Sequence, residues 1–180
     1  MRYHDIGQDA EKEISDGKWL SDLHINASQG LIKDTSPYVG GLLDTGLGVY
    51  NQFPIERGEF VQILHIDGNH WVTISTVGLS PGHVEVFDTL YREISPNLRE
   101  KVFKIMSTED VRFSMPSIVQ QENTSDCGVF AVAAAAEVFY SRRRFNFCTK
   151  KSRNHLLACL KKGKMSPFPK SSKVAMLPSV

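Results

Sequence analysis

The sequence has no long hydrophobic run, few cysteines and, beyond Glu137, no acidic residue at all. No apolar stretch approaches the ~18 residues that crossing a bilayer requires, so an integral membrane protein is excluded. The opening segment from Met1 to Ser15 is polar and acidic and lacks the apolar centre of a secretory leader. The three cysteines, Cys127, Cys148 and Cys159, are odd in number and irregularly spaced, which speaks against a disulfide framework. A reducing compartment inside the cell, cytoplasm or nucleus, fits that usage. There is no internal repeat, and the alanine run Ala133–Ala136 is the one low-complexity piece. What is present is a globular composition, 41% hydrophobic and 23% charged over 180 residues, enough for one domain with a real core.

The net charge of +1 conceals an asymmetry. Every charged residue from Arg142 to Lys173 is Lys or Arg, set against an acidic body. Arg142-Arg143-Arg144, Lys150-Lys151 and Lys161-Lys162 with Lys164 have the look of a nucleic-acid contact or a nuclear address. A solvated surface that balances the acidic body is the preferred reading. Residues 1–165 are expected to form the domain and 166–180 a flexible C-terminal tail.

Along the chain, Ser15 and Asp16 look like helix caps, followed by Trp19, Leu20, Leu23, Ala27 and Leu31 at helical spacing. Residues 34–58, with Pro37, Gly40, Gly41, Gly46, Gly48, Pro54 and Gly58, read as a long loop. Phe60–Ile66, Trp71–Val77 and His83–Phe87 are strand-like, the first two joined by Asp67-Gly68-Asn69. Ser95-Pro96 is a cap followed by proline at the first helical position, opening a helix to about Met106. Val111–Met115 is a further strand, and Ile118–Gln121 is expected to extend the sheet. Cys127–Tyr140 is strongly apolar and alanine-rich and reads as a buried central helix, and His155–Lys162 as a weaker one. The pattern is α+β.

Chemistry concentrates in Gln120-Gln121-Glu122-Asn123-Thr124-Ser125-Asp126-Cys127-Gly128. A cysteine where a polar loop becomes an apolar helix sits among unpaired backbone N–H groups and the positive end of the helix dipole, which favour thiolate. The same N–H groups suit an oxyanion forming at a bound carbonyl, and Gly128 leaves room for a substrate beside the backbone. Taken alone, Cys127 reads equally as a small buried helix residue. His70 starts one strand and Asp88 follows the end of the next, so a hairpin can bring imidazole and carboxylate together; singly, each is an ordinary strand-end residue. Together they are what a nucleophilic thiol needs: a proton acceptor and a group to fix its tautomer.

The order His70-Trp71, Asp88, then Gln121-Glu122-Asn123-Thr124-Ser125-Asp126-Cys127-Gly128 resembles the ubiquitin-like-protein proteases, the Ulp and sentrin-specific protease family. The family's Q-x-N-x-x-D-C-G pattern runs unbroken here, and its W-L-x-D motif appears as Trp19-Leu20-Ser21-Asp22. The resemblance spans about Trp19 to Tyr140 and is most similar to compact forms found in mobile elements and expanded animal gene sets.

The resemblance implies a papain-like fold, with the Cys127 helix packed on a mostly antiparallel sheet. It makes Cys127 the nucleophile, His70 the general base and acid, Asp88 its orienter and Gln121, six residues before the cysteine, the oxyanion-hole side chain. Trp19 and Trp71 match the family's two tryptophans walling a tunnel for a Gly-Gly tail, against core packing as the plainer reading. The implied activity is cleavage after the C-terminal glycine of a ubiquitin-like modifier, SUMO-like or NEDD8-like, at a peptide or isopeptide bond. The implied partners are that modifier and its conjugates, with no metal or organic cofactor. Cys148, His155 and Cys159 lack a fourth ligand and are read as incidental, and His65 and His83 as strand histidines. Two other classes stay open: protein acetylation, as in a bacterial effector family with the same Cys-His-acid arrangement, and a catalytically silent module that binds a ubiquitin-like protein.

Overall fold

The computed structural model describes residues 5–35 and 38–180. A five-stranded sheet forms the centre, in the order β1 (Gly40–Gly41), β2 (Phe60–Ile66), β3 (His70–Ser75), β4 (His83–Phe87), β5 (Arg112–Ser114). The three central strands are antiparallel and both edge pairings are parallel. Helices α1 (Gln8–Ser15), α2 (Asp22–Lys33), α4 (Cys127–Phe139) and α5 (Ser152–Lys162) contribute to one hydrophobic cluster with Val61, Ile63, Trp71 and Phe87 of the sheet. Helix α3 (Pro96–Met106) contributes Leu98, Val102 and Ile105 to a second cluster with Leu64, Val72, Ile74, Val84 and Val86. Alternate residues of β3 and β4 thus feed opposite faces, as the two-residue strand period dictates. With both faces covered, every residue of β3 is buried. The α+β, papain-like architecture follows the sequence reading.

Helix α4 is the axis of the larger cluster. Ala133–Ala136 are fully buried, and side chains that short let the sheet approach closely. Thr73 on β3 donates its hydroxyl to the Ala131 carbonyl at 2.6 Å, locking the helix to the strand. Ser95 caps α3 by accepting from the Leu98 N–H, with Pro96 behind it, as the sequence indicated.

Several boundaries differ from expectation. Ser15 ends a helix instead of starting one: α1 precedes it, and Trp19-Leu20 lie in the connection to α2. The cap of α2 is Ser21, closed by the His24 ring, which accepts from the Ser21 N–H at 2.9 Å. The expected 34–58 loop contains an edge strand and a 3₁₀ turn, Thr45–Gly48 (Pro37, within it, lies outside the described residues). Gly41 explains part of that glycine content: at φ +85, a Cβ there would fall 1.9 Å from the Val61 carbonyl oxygen across the β1–β2 pair. Ile118–Val119 (β6) does not extend the main sheet. It pairs antiparallel with β7 (Met176–Leu177) in a second, two-stranded sheet.

Residues 166–180, expected as a flexible tail, instead run back over the body. Phe168 is buried, and Lys170 reaches the fully buried Glu137 carboxylate at 2.9 Å. Met115 and Val180 exchange backbone hydrogen bonds at 2.6 and 2.9 Å. The short apolar positions of this segment gave no periodic signal because they pair one at a time with different parts of the body. Among the described residues, no helix is long and apolar enough to cross a membrane.

Candidate active site

Cys127 is the first residue of α4, buried, with Asp126 in the cap position. The preceding turn is built on Asn123. Its Oδ1 accepts from the N–H groups of Ser125 (2.9 Å) and Asp126 (3.0 Å), and its Nδ2 donates to Asp126 Oδ2 at 2.8 Å. The other carboxylate oxygen, Oδ1, accepts from Arg153 Nε at 2.9 Å and Nη2 at 2.5 Å. The Asn of the motif therefore shapes the turn, while the Asp gives its charge to a distant arginine and not to the helix N–H groups.

Extending the β3–β4 ladder one step past Thr73↔Phe87 sets Asp88 opposite Val72, diagonal to His70. The contact forms: His70 Nε2 donates to Asp88 Oδ1 at 2.9 Å, both groups buried. Asp88 Oδ1 also accepts from the backbone N–H of Leu90 (2.8 Å) and Tyr91 (3.0 Å), so the carboxylate is fixed by its own turn before it meets the ring. The Cys127 side chain is the other group that acts on the ring's titration. Burial pulls the His70 pKa down, but the hydrogen bonds and charges of Asp88 and Cys127 outweigh it and raise the group to about 9. Tyr91 packs edge-on against the ring at 5.3 Å and remains exposed.

Gln121 is buried beside this pair. Its Oε1 accepts from the Thr89 hydroxyl at 2.6 Å and its Nε2 donates to the Asn123 carbonyl at 2.6 Å. These two contacts fix which end of the amide carries the donors and leave one N–H of the Nε2 group unused by either. Thr89 and Gln121 also meet through the backbone, Gln121 N–H to Thr89 carbonyl at 3.1 Å. Gln120 faces elsewhere, its N–H bonded to the Ala175 carbonyl.

Trp71 is 4% exposed, its indole N–H donating to the Leu20 carbonyl at 3.0 Å and its ring tilted against His65 at 4.5 Å. Trp19, one residue from that carbonyl, is 49% exposed. The space beside Gly128, expected to admit substrate, is filled by these neighbours: a Cβ there would lie 3.0 Å from Leu20 Cβ and 3.2 Å from Trp71 Cδ1. The glycine lets Trp71 and Leu20 pack onto the start of α4.

Sequence reasoning passed over Thr89, Arg92 and Arg153. Arg92 donates to the backbone carbonyls of Asp88, Tyr91 (3.0 Å), Pro116 (3.1 Å) and Pro178 (3.2 Å), tying the Asp88 turn to the C-terminal segment. None of these acceptors is marked by a side chain, so no motif could flag the arginine. A second Cys–His contact occurs on α5, Cys159 Sγ to His155 Nε2 at 3.4 Å, closed off by Ser166. His83 meets Ser114 at 2.7 Å. Among the described residues, no group of three or more His, Cys, Asp or Glu side chains is placed to hold a metal ion.

A central helix that begins at a buried cysteine, laid on a sheet whose strand ends supply an imidazole, is the architecture of the papain-like cysteine proteases. Solved structures agree on the fold. A SUMO protease Ulp1 with its catalytic cysteine oxidised to a sulfenic acid superposes with a TM-score of 0.63 at 15% identity, covering 84% of this chain and 81% of the other. The C-terminal Ulp1 protease domain in complex with Smt3, the yeast ortholog of SUMO, gives 0.65 at 14% identity over 86% and 82%. The Xanthomonas campestris effector protein XopD bound to ubiquitin gives 0.52 at 11% identity over 81% and 91%. No curated protein matches in sequence. The profile of the Ulp1 protease family, C-terminal catalytic domain, matches residues 60–165, and the chain belongs to that family of cysteine proteases.

Proposed function

We propose that this protease cleaves after the C-terminal glycine of a ubiquitin-like modifier, SUMO-like or NEDD8-like, with Cys127, His70, Asp88 and Gln121 as its machinery. The observation that carries the reading is the buried His70–Asp88 pair at 2.9 Å, in a chain whose buried Cys127 opens α4. The complexes of its structural neighbours with Smt3 and with ubiquitin support the partner class.

In the proposed reaction, the imidazolium of His70 stabilises negative charge on the Cys127 sulfur. The thiolate attacks the glycine carbonyl, and the oxyanion accepts hydrogen bonds from Gln121 Nε2 and the Cys127 backbone N–H. The scissile C–N bond then breaks as His70 gives its proton to the departing amine, leaving a thioester. His70, now neutral, takes a proton from water as the hydroxyl attacks the thioester; the C–S bond breaks to return the Cys127 thiolate, and the product acid gives its proton to solvent and leaves as the carboxylate. Asp88, held by its turn, keeps the His70 proton on Nε2 so that the other nitrogen faces the sulfur throughout. Trp71, anchored on the Leu20 carbonyl, and the exposed Trp19 flank the approach to Cys127 as walls for a glycine tail.

The test is hydrolysis of C-terminal fluorogenic amides of SUMO, NEDD8 and ubiquitin, each beside Cys127→Ala. Release of fluorophore from the SUMO or NEDD8 substrate, absent in the variant, is the expected result. Turnover of none of them by folded protein would overturn the substrate assignment.

A further inference from the structure

Arg153 sits in the basic C-terminal third, and its side chain is nearly buried against Asp126. All five of its N–H donors are engaged. Nε and one N–H of Nη2 go to Asp126 Oδ1, and the other Nη2 donor goes to the Ser125 carbonyl at 3.2 Å. The two Nη1 donors go to the carbonyls of Ile14 (3.3 Å) and Lys18 (2.8 Å), at the end of α1 and in the turn after it. One guanidinium from α5 therefore joins the two residues before Cys127 to the N-terminal helix. Lysine, with three donors on a single point, cannot reproduce that fork.

The electrostatics add a second requirement. Asp126 places a carboxylate next in sequence to the nucleophile, where a negative charge opposes formation of a thiolate. Asn123 gives that carboxylate one neutral hydrogen bond, and Arg153 supplies the positive charge. His70 is the other cationic group of the site, and its partner is Asp88.

We propose that Arg153 is a positioning residue of the active site, which holds the Ser125–Asp126 turn in place and neutralises Asp126 so that Cys127 can carry negative charge. The inference rests on Cys127 being the nucleophile. It is tested without any substrate by the pH profile of Cys127 alkylation by iodoacetamide, followed by mass spectrometry of the peptide, with melting temperature measured in parallel. In Arg153→Met the bare carboxylate shifts the midpoint of the profile upward by about half a pH unit or more. Alkylation at pH 7 then slows by roughly three- to tenfold. In Arg153→Met/Asp126→Asn the midpoint returns toward that of the parent although the melting temperature stays low. Arg153→Lys, which retains the charge and folds more readily, keeps the parent midpoint while melting lower.

A purely structural arginine would lower the melting temperature in all three variants without moving any midpoint, and that result overturns the inference. So does a Lys variant whose midpoint rises as far as that expected for Met, which decides the matter should the Met variant fail to fold. A parent protein whose Cys127 reacts like an ordinary thiol overturns the assignment of the nucleophile, and this inference with it. A reactive parent with unmoved variants overturns this inference alone.

Discussion

The two halves of the site are each clamped by one arginine, and the clamps differ in what they do with charge. On the Cys127 side, Arg153 directs its fork to the Asp126 carboxylate and to the carbonyls of Ile14 in α1, Lys18 after it and Ser125 before Asp126. On the base half, Arg92 donates only to backbone carbonyls, that of Asp88 among them, and leaves the Asp88 carboxylate to His70 and two backbone N–H groups. One carboxylate is cancelled and the other is kept. In the proposed mechanism the two acidic residues are treated oppositely: a charge beside the sulfur is a hindrance, and a charge beyond the imidazole keeps the ring protonated and aligned.

The comparison is broken most severely at the retained carboxylate. Asp88→Asn keeps the shape but removes the charge and permits the wrong tautomer, and kcat should fall by about 10³–10⁴-fold. The variant also loses the pH dependence that His70 confers. His70 is held at about 9 against an ordinary 6.5, so its contribution to stability is complete below about pH 6.5 and fades as pH rises through 9. The melting-temperature gap between parent and Asp88→Asn should therefore be widest near pH 6 and close toward pH 9–10. For the same reason kcat/KM should fall on its alkaline limb near pH 9 in the parent, and that limb should move to lower pH in the variant.

Next in size is the amide that lies between the halves. Gln121→Ala removes one proposed oxyanion donor and should reduce kcat by roughly 10²–10³-fold, with KM nearly unchanged. Thr89→Val sharpens the point. It leaves Gln121 in place, with Nε2 still on the Asn123 carbonyl, but removes the hydroxyl that holds Oε1, so the amide is held at one end only and kcat should drop by about tenfold. An equal loss in both variants would mean that orientation, more than the donor itself, sets the rate. The smallest effect is expected at Gly128→Ala, where the added methyl presses on Leu20 and Trp71. Overpacking should cost about 1–3 kcal/mol of stability by chemical denaturation, with only a few-fold change in kcat.

How legible the molecule was in its sequence varies with the range of the interaction. Strands β2 and β4 and helix α3 were readable to the residue because the strands are rich in Val, Ile and aromatic residues and Ser95-Pro96 caps a helix. The pairing of His70 with Asp88 was readable because a hairpin sets the start of one strand beside the end of the next. Ser15 misled because a polar residue can end a helix as well as begin one, and the connection between α1 and α2 carries Trp19 and Leu20 at helix-like spacing. The C-terminal segment was illegible because Phe168, Lys170 and Met176 each answer a different distant partner. Arg153 was hidden among basic residues, yet Asp126 offered a signal: an acid at the mouth of a strongly apolar helix is costly to bury without a cation.

The central claim is that Cys127 is a nucleophile presented to the glycine end of a ubiquitin-like protein. The most direct measurement is intact-mass and peptide mapping after incubation with SUMO, NEDD8 and ubiquitin bearing C-terminal vinyl methyl ester electrophiles. The account predicts one covalent adduct with a SUMO-like or NEDD8-like probe, mapped to Cys127, abolished in Cys127→Ala and slowed in His70→Ala. An adduct on Cys148 or Cys159, or no adduct with any probe while the protein is folded, would contradict it.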